Sequence, residues 1–358
     1  MKRLARALSR PSAQRGPKSL VLFNNKGGVG KTTLTFNLAH MFARLGRRVA
    51  LLDFDPQCNL SALALPDHSL EAIWDDAKPG RTVASCVEKV RIGKGELAEP
   101  AGCELADDLY LLPGDLRLSR FESRLARDWP QIMAEDNELA LHAVTAFDRL
   151  AVSFANQVGA ELLLFDVGPS LGALNRAVLL ASDAIVVPLA PDLFSLRGLQ
   201  NVGEVLHEWR EEWDTARVKN LQSAARRREP PPLLPQRWMQ PLGYVVQQHL
   251  TIADEPVRAY QRWLKQIPAS FAEDVLQRSA PASSSVQDDP HCLGFLRHFA
   301  SLVPLAQAAH KPLFELAHAD GVVGSQYQTV ARATKAFEQL AEAILVKLDA
   351  LGVVTAKE

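Results

Sequence analysis

Between a short apolar run and a segment of helical periodicity, the chain reads Lys26-Gly27-Gly28-Val29-Gly30-Lys31-Thr32-Thr33. The apolar run over residues 19–23 predicts a buried strand. Leu34, Leu38 and Phe42 recur at the spacing of one helical face. A glycine-rich turn between a strand and a helix is the context that a phosphate-binding loop requires. Its glycines let backbone N–H groups turn inward around phosphate oxygens, and the helix N-terminus adds the positive end of its dipole. The stretch therefore predicts a site for a nucleoside phosphate.

The side chains at the end of this loop can hold phosphate and metal. The Lys31 ammonium can reach the β- and γ-phosphates, and the Thr32 hydroxyl can ligate Mg²⁺. A dinucleotide-binding loop, the main rival, would need glycine where this chain has Thr33. We therefore expect the nucleotide to be bound by Gly27, Gly28, Val29, Gly30, Lys31, Thr32 and Thr33.

Two further segments place carboxylates at the ends of predicted strands. The chain reads DFDPQCN from Asp53 to Asn59, and it reads LLLFD up to Asp166. On an extended chain Asp53 and Asp55 point to the same side, because side chains alternate along a strand. Ligands of open α/β sheets bind at the carboxyl ends of the strands. The three carboxylates are therefore expected beside the phosphate loop.

The three motifs together resemble those of the ParA/MinD superfamily of ATPases, in its ParA branch. Asn25 stands where a standard phosphate loop has glycine and Lys26 follows it, as in the deviant Walker A motif of that family. The resemblance implies that Lys26 reaches the nucleotide across a dimer interface, and that Asp55 orients or activates the attacking water. It implies catalytic roles for Lys26, Lys31 and Asp55. It implies a magnesium shell held by Thr32, Asp53 and, through water, Asp166.

The same resemblance implies an α/β fold of the P-loop NTPase kind, a doubly wound and mostly parallel sheet flanked by helices. We expect a basic arm over residues 1–18 and one ATPase domain over residues 19–350, with insertions at about 60–108 and 205–292. Gly168 replaces a proline of the family pattern, and we expect it to loosen the segment after Asp166. Periodicity predicts helices at about 138–158 and 196–213, whereas composition predicts a break at 217–240 and a flexible linker at 279–291.

The composition limits the classes of function. The 40 Lys and Arg residues against 41 Asp and Glu give a formal charge of −1. This excludes a wholly basic nucleic-acid coat but allows a local basic patch. The four cysteines form no CxxC pair, so neither a zinc ribbon nor a disulfide framework is predicted. No apolar run approaches the roughly 18 residues of a membrane span, and no secretory signal is readable, so we expect a cytoplasmic protein.

The family resemblance also implies a biological cycle. ATP with Mg²⁺ would form a homodimer that binds DNA nonspecifically and positions or segregates DNA or another cargo. A ParB-like partner would stimulate hydrolysis and release. Such a protein would work in the cytoplasm, at the nucleoid when bound to DNA. The expected DNA contacts are Arg217, Lys219, Arg226, Arg227 and Arg228, with Lys2, Arg3, Arg6 and Arg10 of the arm in reserve.

Three other functions compete with partition for this sequence. A regulatory ATPase of the same family would serve a defence, secretion or polar-localisation system, and the long segment 205–292 favours such a dedicated protein partner. A MinD-type ATPase, which binds to a membrane and leaves it in turn, needs a basic amphipathic C-terminal helix. The predicted last helix instead carries the acidic residues Glu338, Glu342 and Asp349. An iron–sulfur ATPase needs cysteines near both carboxylate segments, but only Cys58 lies near one of them. The last two are therefore disfavoured, and the first stays open.

Overall fold

The computed structural model describes residues 16–75, 78–134, 137–228, 234–235, 239–248, 251–252, 255–256, 258–279, 285–297 and 299–351. Within them the chain forms an eight-stranded, mostly parallel sheet flanked by helices, which confirms the predicted fold class. Most of the predicted basic arm and the proline run at 230–232 lie outside the described residues.

The strands follow one another along the chain with helices between most of them. They are β1 (Lys18–Leu22), β2 (Val49–Asp53), β3 (Cys103–Ala106), β4 (Leu109–Leu112), β5 (Leu162–Asp166), β6 (Ala184–Leu189), β7 (Gln240–Gln248), β8 (Thr251–Ile252), β9 (Glu255–Pro256) and β10 (Cys292–Arg297). In the main sheet the neighbours are ordered β10-β7-β6-β1-β5-β2-β4-β3, and β8 pairs with β9 separately. Every pairing in the main sheet is parallel except that of β3 with β4.

The α-helices are mostly short, apart from two long ones late in the chain. They are α1 (Lys31–Arg44), α2 (Asn59–Ala64), α3 (Asp67–Asp75), α4 (Val83–Arg91), α5 (Ser119–Ala134), α6 (Glu138–Val144), α7 (Ala146–Val158), α8 (Ala173–Leu180), α9 (Leu193–Arg227), α10 (Arg258–Leu264), α11 (Ile267–Ser270), α12 (Val303–Ala309) and α13 (Gln326–Ala350). A 3-10 turn, Leu116–Leu118, leads directly into α5.

Helices cover both faces of the sheet. One apolar cluster joins the strands to α4, α5, α7, α8 and the first part of α9, and a second joins them to α1 and α13. The strands β2, β5 and β6 are buried along their whole length. A parallel strand covered on both faces is apolar throughout, which explains the uninterrupted apolar runs in the sequence.

The second half of α9 forms a smaller core with α5 and α6. The rings of Trp129 and Trp213 stack with their centroids 6.4 Å apart. The Arg176 guanidinium lies 4.1 Å from the centre of the Trp129 ring and pairs with Glu212 at 3.8 Å. Asn220 adds a hydrogen bond of 3.1 Å to the carbonyl of Ile132. The far end of α9 is therefore packed against the domain.

Two helix predictions were wrong in extent. The helix predicted at 138–158 is interrupted at Thr145, whose hydroxyl donates to the Leu141 carbonyl at 2.8 Å. Threonine can bond back to the preceding turn in this way, and this competes with straight helical bonding. The helix predicted at 196–213 continues to Arg227, so the predicted break is wrong over 217–227. Burial of Trp213, Ala216 and Ala224 in tertiary contacts outweighs the polar composition there.

The prediction of a flexible linker at 279–291 is wrong for residues 285–291, which the structure describes. Val286 is buried, and the Asp289 carboxylate accepts a hydrogen bond of 2.5 Å from the Tyr244 hydroxyl. A few buried contacts thus fix a segment whose composition is typical of a flexible linker. Residues 280–284 lie outside the described residues.

The last helix packs on the domain. Its apolar stripe of Phe337, Leu340, Ile344 and Leu348 is buried in the second core cluster. Across the part of the chain that the structure describes, no helix has the length and apolar character needed to cross a bilayer.

Candidate functional site

The phosphate loop (residues 26–33) and two of the predicted carboxylates meet at one edge of the sheet. β1 lies beside β5, and β5 lies beside β2, with Asp166 in register with Asp53. The loop follows β1, while Asp53 and Asp166 end β2 and β5. The structure therefore brings together the three motifs that the sequence predicted would meet.

Glycines shape the phosphate loop, and the Asn24 side chain anchors its start. Gly28 and Gly30 have φ angles of 74° and 72°, and Gly30 caps α1. The Asn24 side chain donates to the Pro188 carbonyl at 2.8 Å and accepts from the Lys26 N–H at 2.9 Å. A Cβ at Gly27 or Gly28 would meet nothing within 4 Å. The loop thus faces open space, where a phosphate can approach the backbone.

Lys31, Thr32 and Asp166 form the inner part of the site. The Thr32 hydroxyl donates to Asp166 Oδ2 at 2.9 Å, and the Lys31 ammonium donates to the Lys26 carbonyl at 3.2 Å. Burial lowers the pKa of Lys31, while the nearby Asp166 and Asp55 act in the opposite direction. Burial, and next the charge of Asp53, raise the pKa of Asp166 well above its usual value. A buried carboxylate with a raised pKa favours a cation beside it.

The oxygen atoms of Asp166 also test whether magnesium fits. Asp166 Oδ1 is buried and has no hydrogen-bond partner among the described residues. Mg²⁺ prefers oxygen ligands and is commonly held by one or two carboxylates with phosphate oxygens and water. The free carboxylate oxygen and the Thr32 hydroxyl beside it therefore fit the ion.

Asp53 has a different environment. Its Oδ2 accepts from the Ser61 hydroxyl at 2.7 Å and the Ser61 N–H at 2.9 Å, while Oδ1 accepts from the Asp55 N–H at 3.2 Å. Burial raises its pKa to about 7 against the opposing effect of the Ser61 hydrogen bonds. These contacts favour a role in holding the segment after β2, and the magnesium role of Asp53 stays a prediction.

Asp55 lies on the neighbouring segment, close to Gly168. Its Oδ1 accepts from the Gln57 N–H at 2.9 Å. A Cβ at position 168 would lie 3.2 Å from that same oxygen. The Gly168 carbonyl is held by the Asn175 side chain at 2.8 Å. The glycine that was expected to loosen this segment thus makes room for the Asp55 carboxylate.

Comparison with known proteins places this geometry in a family. A family model described as an AAA domain matches residues 17–219, more than half of the chain. The chromosome-partitioning ATPase Soj of Thermus thermophilus is 32% identical over 193 residues, which are 54% of this chain and 63% of Soj. The chain belongs to the ParA/MinD family of ATPases. It spans about half to two thirds of the length of the curated relatives it matches.

Solved structures of other proteins share this fold. Protein DIP2308 of Corynebacterium diphtheriae is 29% identical, with a TM-score of 0.65, over 82% of this chain and 97% of that protein. McdA of Cyanothece in complex with ATP is 15% identical with a TM-score of 0.56, over 92% of this chain and 97% of McdA. The second likeness shows the shared fold alone.

In this ParA/MinD family member, Lys26 lies at the outer rim of the site. Its ammonium pairs with Asp192 at 2.5 Å and lies 6.0 Å from the centre of the Phe194 ring. Asp192 also caps α9 by accepting from the Ser195 N–H at 2.8 Å. Phe194 is 73% exposed. The lysine is thus kept at the surface beside an exposed aromatic ring.

Four of the five cations predicted to contact DNA lie along the second half of α9, and Arg228 directly follows its last residue. Arg217 pairs with Asp214 at 3.6 Å, and Arg227 pairs with Glu138 at 3.6 Å. The Lys219 ammonium donates to the Met133 carbonyl at 2.6 Å and so caps the end of α5. Arg226 and Arg228 are exposed at the helix end. Three of the five therefore have contacts within the protein.

Sequence reasoning missed several residues that shape the site. Ser61 and Asp192 bind Asp53 and Lys26, and Gln247 at the end of β7 donates to the Val29 carbonyl. A Cβ at Gly30 would lie 2.9 Å from the Gln247 amide nitrogen. The pattern Asp192-x-x-Ser195 could have predicted a helix cap. The contacts of Lys26 with Asp192 and of Val29 with Gln247 join distant parts of the chain and leave no local signal.

Proposed function

We propose that this chain is a magnesium-dependent ATPase that works as a molecular switch. Its ATP-bound form is a homodimer that positions or segregates DNA or another cargo. The observation that carries the proposal is the site of Lys31, Thr32 and Asp166 beside an open phosphate loop. There one buried Asp166 oxygen has no hydrogen-bond partner within the described part of the chain. That arrangement suits a nucleotide with a divalent cation.

Each residue of the site has a defined part in this proposal. The backbone N–H groups of the loop and the Lys31 ammonium bind the phosphates. Thr32 and Asp166 would hold Mg²⁺, which when bound neutralises charge on the phosphate oxygens. Asp55 orients the attacking water, since its carboxylate lies on the segment next to Gly168 at the same sheet edge.

The proposal of a dimer depends on the position of Lys26. Its ammonium is held by Asp192 at 2.5 Å, and its side chain is 28% exposed. An exposed Phe194 beside it adds apolar area that a second subunit could cover. We therefore expect ATP with Mg²⁺, but not ADP, to convert monomer to dimer.

Multi-angle light scattering with a slowly hydrolysed ATP analogue tests this expectation. Wild type should change from the mass of one chain to that of two, and Lys26→Ala should stay monomeric while still binding nucleotide. Lys31→Ala is the contrasting variant, because it should lose nucleotide binding itself. A monomeric wild type at saturating analogue, or undiminished dimerisation of the Lys26 variant, contradicts the proposal.

The cargo is proposed from the relatives. Soj of Thermus thermophilus is a chromosome-partitioning ATPase, and nonspecific DNA binding by the ATP dimer would serve the same task here. A ParB-like partner would stimulate hydrolysis. The buried apolar stripe of α13 gives no support to a membrane-bound cycle.

A second candidate is a regulatory switch that acts mainly through a protein partner. It is favoured by the contacts of Arg217, Lys219 and Arg227 within the protein, which leave fewer free cations on α9. A duplex-DNA shift assay with the ATP analogue separates the two. If the wild-type protein does not bind DNA at roughly 50 mM salt, where phosphate contacts are strong, a regulatory switch replaces partition as the proposed function.

A further inference from the structure

A larger group of exposed cations lies on a different surface from the one predicted. This surface, the α4–α5 face, comprises the end of α4, the turn after it, and the start of α5 with its preceding 3-10 turn. The cations Lys89, Lys94, Arg117, Arg120 and Arg127 are exposed, and Arg91 is partly exposed. The sequence did not reveal the group, because residues 94 and 117 are far apart along the chain.

Contacts between the two helices make this one continuous surface. The Thr82 hydroxyl, which caps α4, donates to Asp115 Oδ2 at 3.0 Å. At the other end of α4, a Cβ at Gly93 would lie 3.6 Å from Arg124 Nη1. The start of α4 thus contacts the turn before α5, and the turn after α4 lies beside α5, so the cations of the two helices lie close together.

The carboxylates of this region lie mostly behind the cations. Asp115 and Asp128 are buried, and they hold Arg117 at 2.6 Å and Arg127 at 3.1 Å. Two carboxylates are exposed: Glu88, which pairs with Arg91 at 2.6 Å, and Glu96 in the segment after α4. Lys89, Lys94 and Arg120 have no ion pair with any residue in the described ranges. The outward side of the face is therefore predominantly positive.

The spacing of the arginines fits an extended polyanion. Arg117 and Arg127 keep 48% and 61% of their side chains exposed despite their ion pairs, more than the paired Arg217 and Arg227 of α9 at 20% and 38%. With Arg120 they follow one another along about 15 Å of axis, at about 1.5 Å per residue. Each strand of a DNA duplex carries one phosphate per 3.4 Å of axis, so this length faces about four phosphates. Guanidinium groups also bind phosphate through paired hydrogen bonds. A row of this length matches a nucleic-acid backbone better than a small anion.

We propose that the α4–α5 face binds the sugar–phosphate backbone of duplex DNA. This rests on the proposed function, which supplies the DNA-binding state, and it assigns the main contact to a surface other than α9. Binding here is independent of base sequence, because phosphate contacts carry no sequence information.

The test uses the full chain with the ATP analogue, Mg²⁺ and a random-sequence duplex at two salt concentrations. The variant Lys89→Ala/Lys94→Ala/Arg120→Ala removes three exposed charges without leaving a buried carboxylate unpaired. Its affinity should fall by about tenfold or more, as expected for three lost phosphate contacts. The slope of log affinity against log salt should become shallower by up to about 2.7, at 0.9 per contact.

The matched control is Arg226→Ala/Arg227→Ala/Arg228→Ala, which removes the same charge from α9. A clearly smaller loss in the control supports the α4–α5 face, whereas equal losses show an effect of net charge and overturn it. A face variant that binds DNA like wild type also overturns it and leaves the proposed function intact. If wild type binds no DNA at all, the DNA-binding part of the proposed function fails as well.

Two further measurements complete the test. Nucleotide binding and circular dichroism should be unchanged in the face variant, because its three side chains are exposed. Poly-L-glutamate serves as the alternative polyanion. If it binds as tightly as the duplex and depends on the same three residues, the face recognises an acidic protein and the DNA assignment is overturned.

Discussion

At the scale of single residues, two aspartates with the same sequence signature have different surroundings. Asp53 and Asp166 both end buried strands and lie side by side in register. All three hydrogen bonds to Asp53 come from the protein, whereas Asp166 Oδ1 accepts none from the residues described. Since a metal needs a free oxygen, Asp166 is the better placed of the two to bind it.

Asp55 is expected to act in hydrolysis and not in nucleotide binding. Asp55→Asn should slow single-turnover hydrolysis on the order of 10²–10⁴-fold, because positioning of the attacking water is lost. Affinity for a fluorescent ATP analogue should hardly change, because Lys31 and the loop amides bind the phosphates. Lys31→Ala should lose both. Normal turnover in the Asp55 variant, with or without a stimulating partner, would remove Asp55 from the mechanism.

At the scale of elements, helices distant in sequence hold the loops of the site. The Glu122 carboxylate of α5 accepts from the backbone N–H groups of Ala173 and Leu174 at 2.5 and 2.8 Å. It thereby satisfies the first turn of α8, directly after the Asp166 segment. A Cβ at Gly114, which leads into the 3-10 turn before α5, would lie 2.9 Å from the Asp53 carboxylate. Helix α5 thus contacts the segment after Asp166, and the turn that leads into α5 packs against Asp53.

Helix α1 buries a histidine whose titration should affect stability. Burial lowers the pKa of His40 to about 4, and its Nε2 has no hydrogen-bond partner in the described structure. Between pH 6.5 and about 4 the unfolded chain binds this proton and the folded chain does not, so stability falls as the pH falls through that window. From pH 7.5 to 5, about 2 kcal/mol of the wild-type loss should come from His40.

Urea unfolding of wild type and His40→Leu at both pH values measures this loss. The variant should lose about 2 kcal/mol less stability on acidification. Carboxyl groups with a raised pKa, such as Asp53, act in the opposite direction in both proteins, so they cancel in the comparison. Equal losses in the two proteins would mean that His40 is protonated in the folded state. His40→Gln is the reserve variant if leucine prevents folding.

At the scale of the whole molecule, nucleotide and metal should stabilise the fold by binding only its native form. At a concentration of 100 times the dissociation constant, a ligand adds about 2.7 kcal/mol to the free energy of unfolding. ADP with Mg²⁺ should therefore raise the melting temperature of wild type more than ADP with EDTA. Asp166→Asn should lose the magnesium-dependent part of this increase.

The matched variant for that experiment is Asp53→Asn. It should melt lower than wild type with or without metal, because the Ser61 N–H and hydroxyl lose a charged acceptor. Its magnesium-dependent increase should remain. If Asp53→Asn loses that increase and Asp166→Asn keeps it, the metal roles of the two residues must be exchanged.

The local sequence determined the elements and motifs that depend on neighbouring residues. Strands β2 and β5 end at Asp53 and Asp166 as predicted, because a short apolar run bounded by turn signals suits a strand buried in a parallel sheet. The phosphate loop was readable because its glycines, lysine and threonines act within eight consecutive residues. The order of strands then brought Asp53 and Asp166 together, as expected for the carboxyl ends of parallel strands.

Only the tertiary structure decided the features that rest on long-range contacts. Asp192 holds Lys26, Gln247 donates to the Val29 carbonyl, and Arg176 packs on Trp129. None of these partners leaves a periodic or compositional signal, because the energy of a packed pair depends on which elements the fold places side by side. The continuation of α9 to Arg227 and the α4–α5 face have the same origin. Burial against other helices extends the first, and contacts of α4 with the turn before α5 and with Arg124 bring together the second from cations that are scattered along the chain.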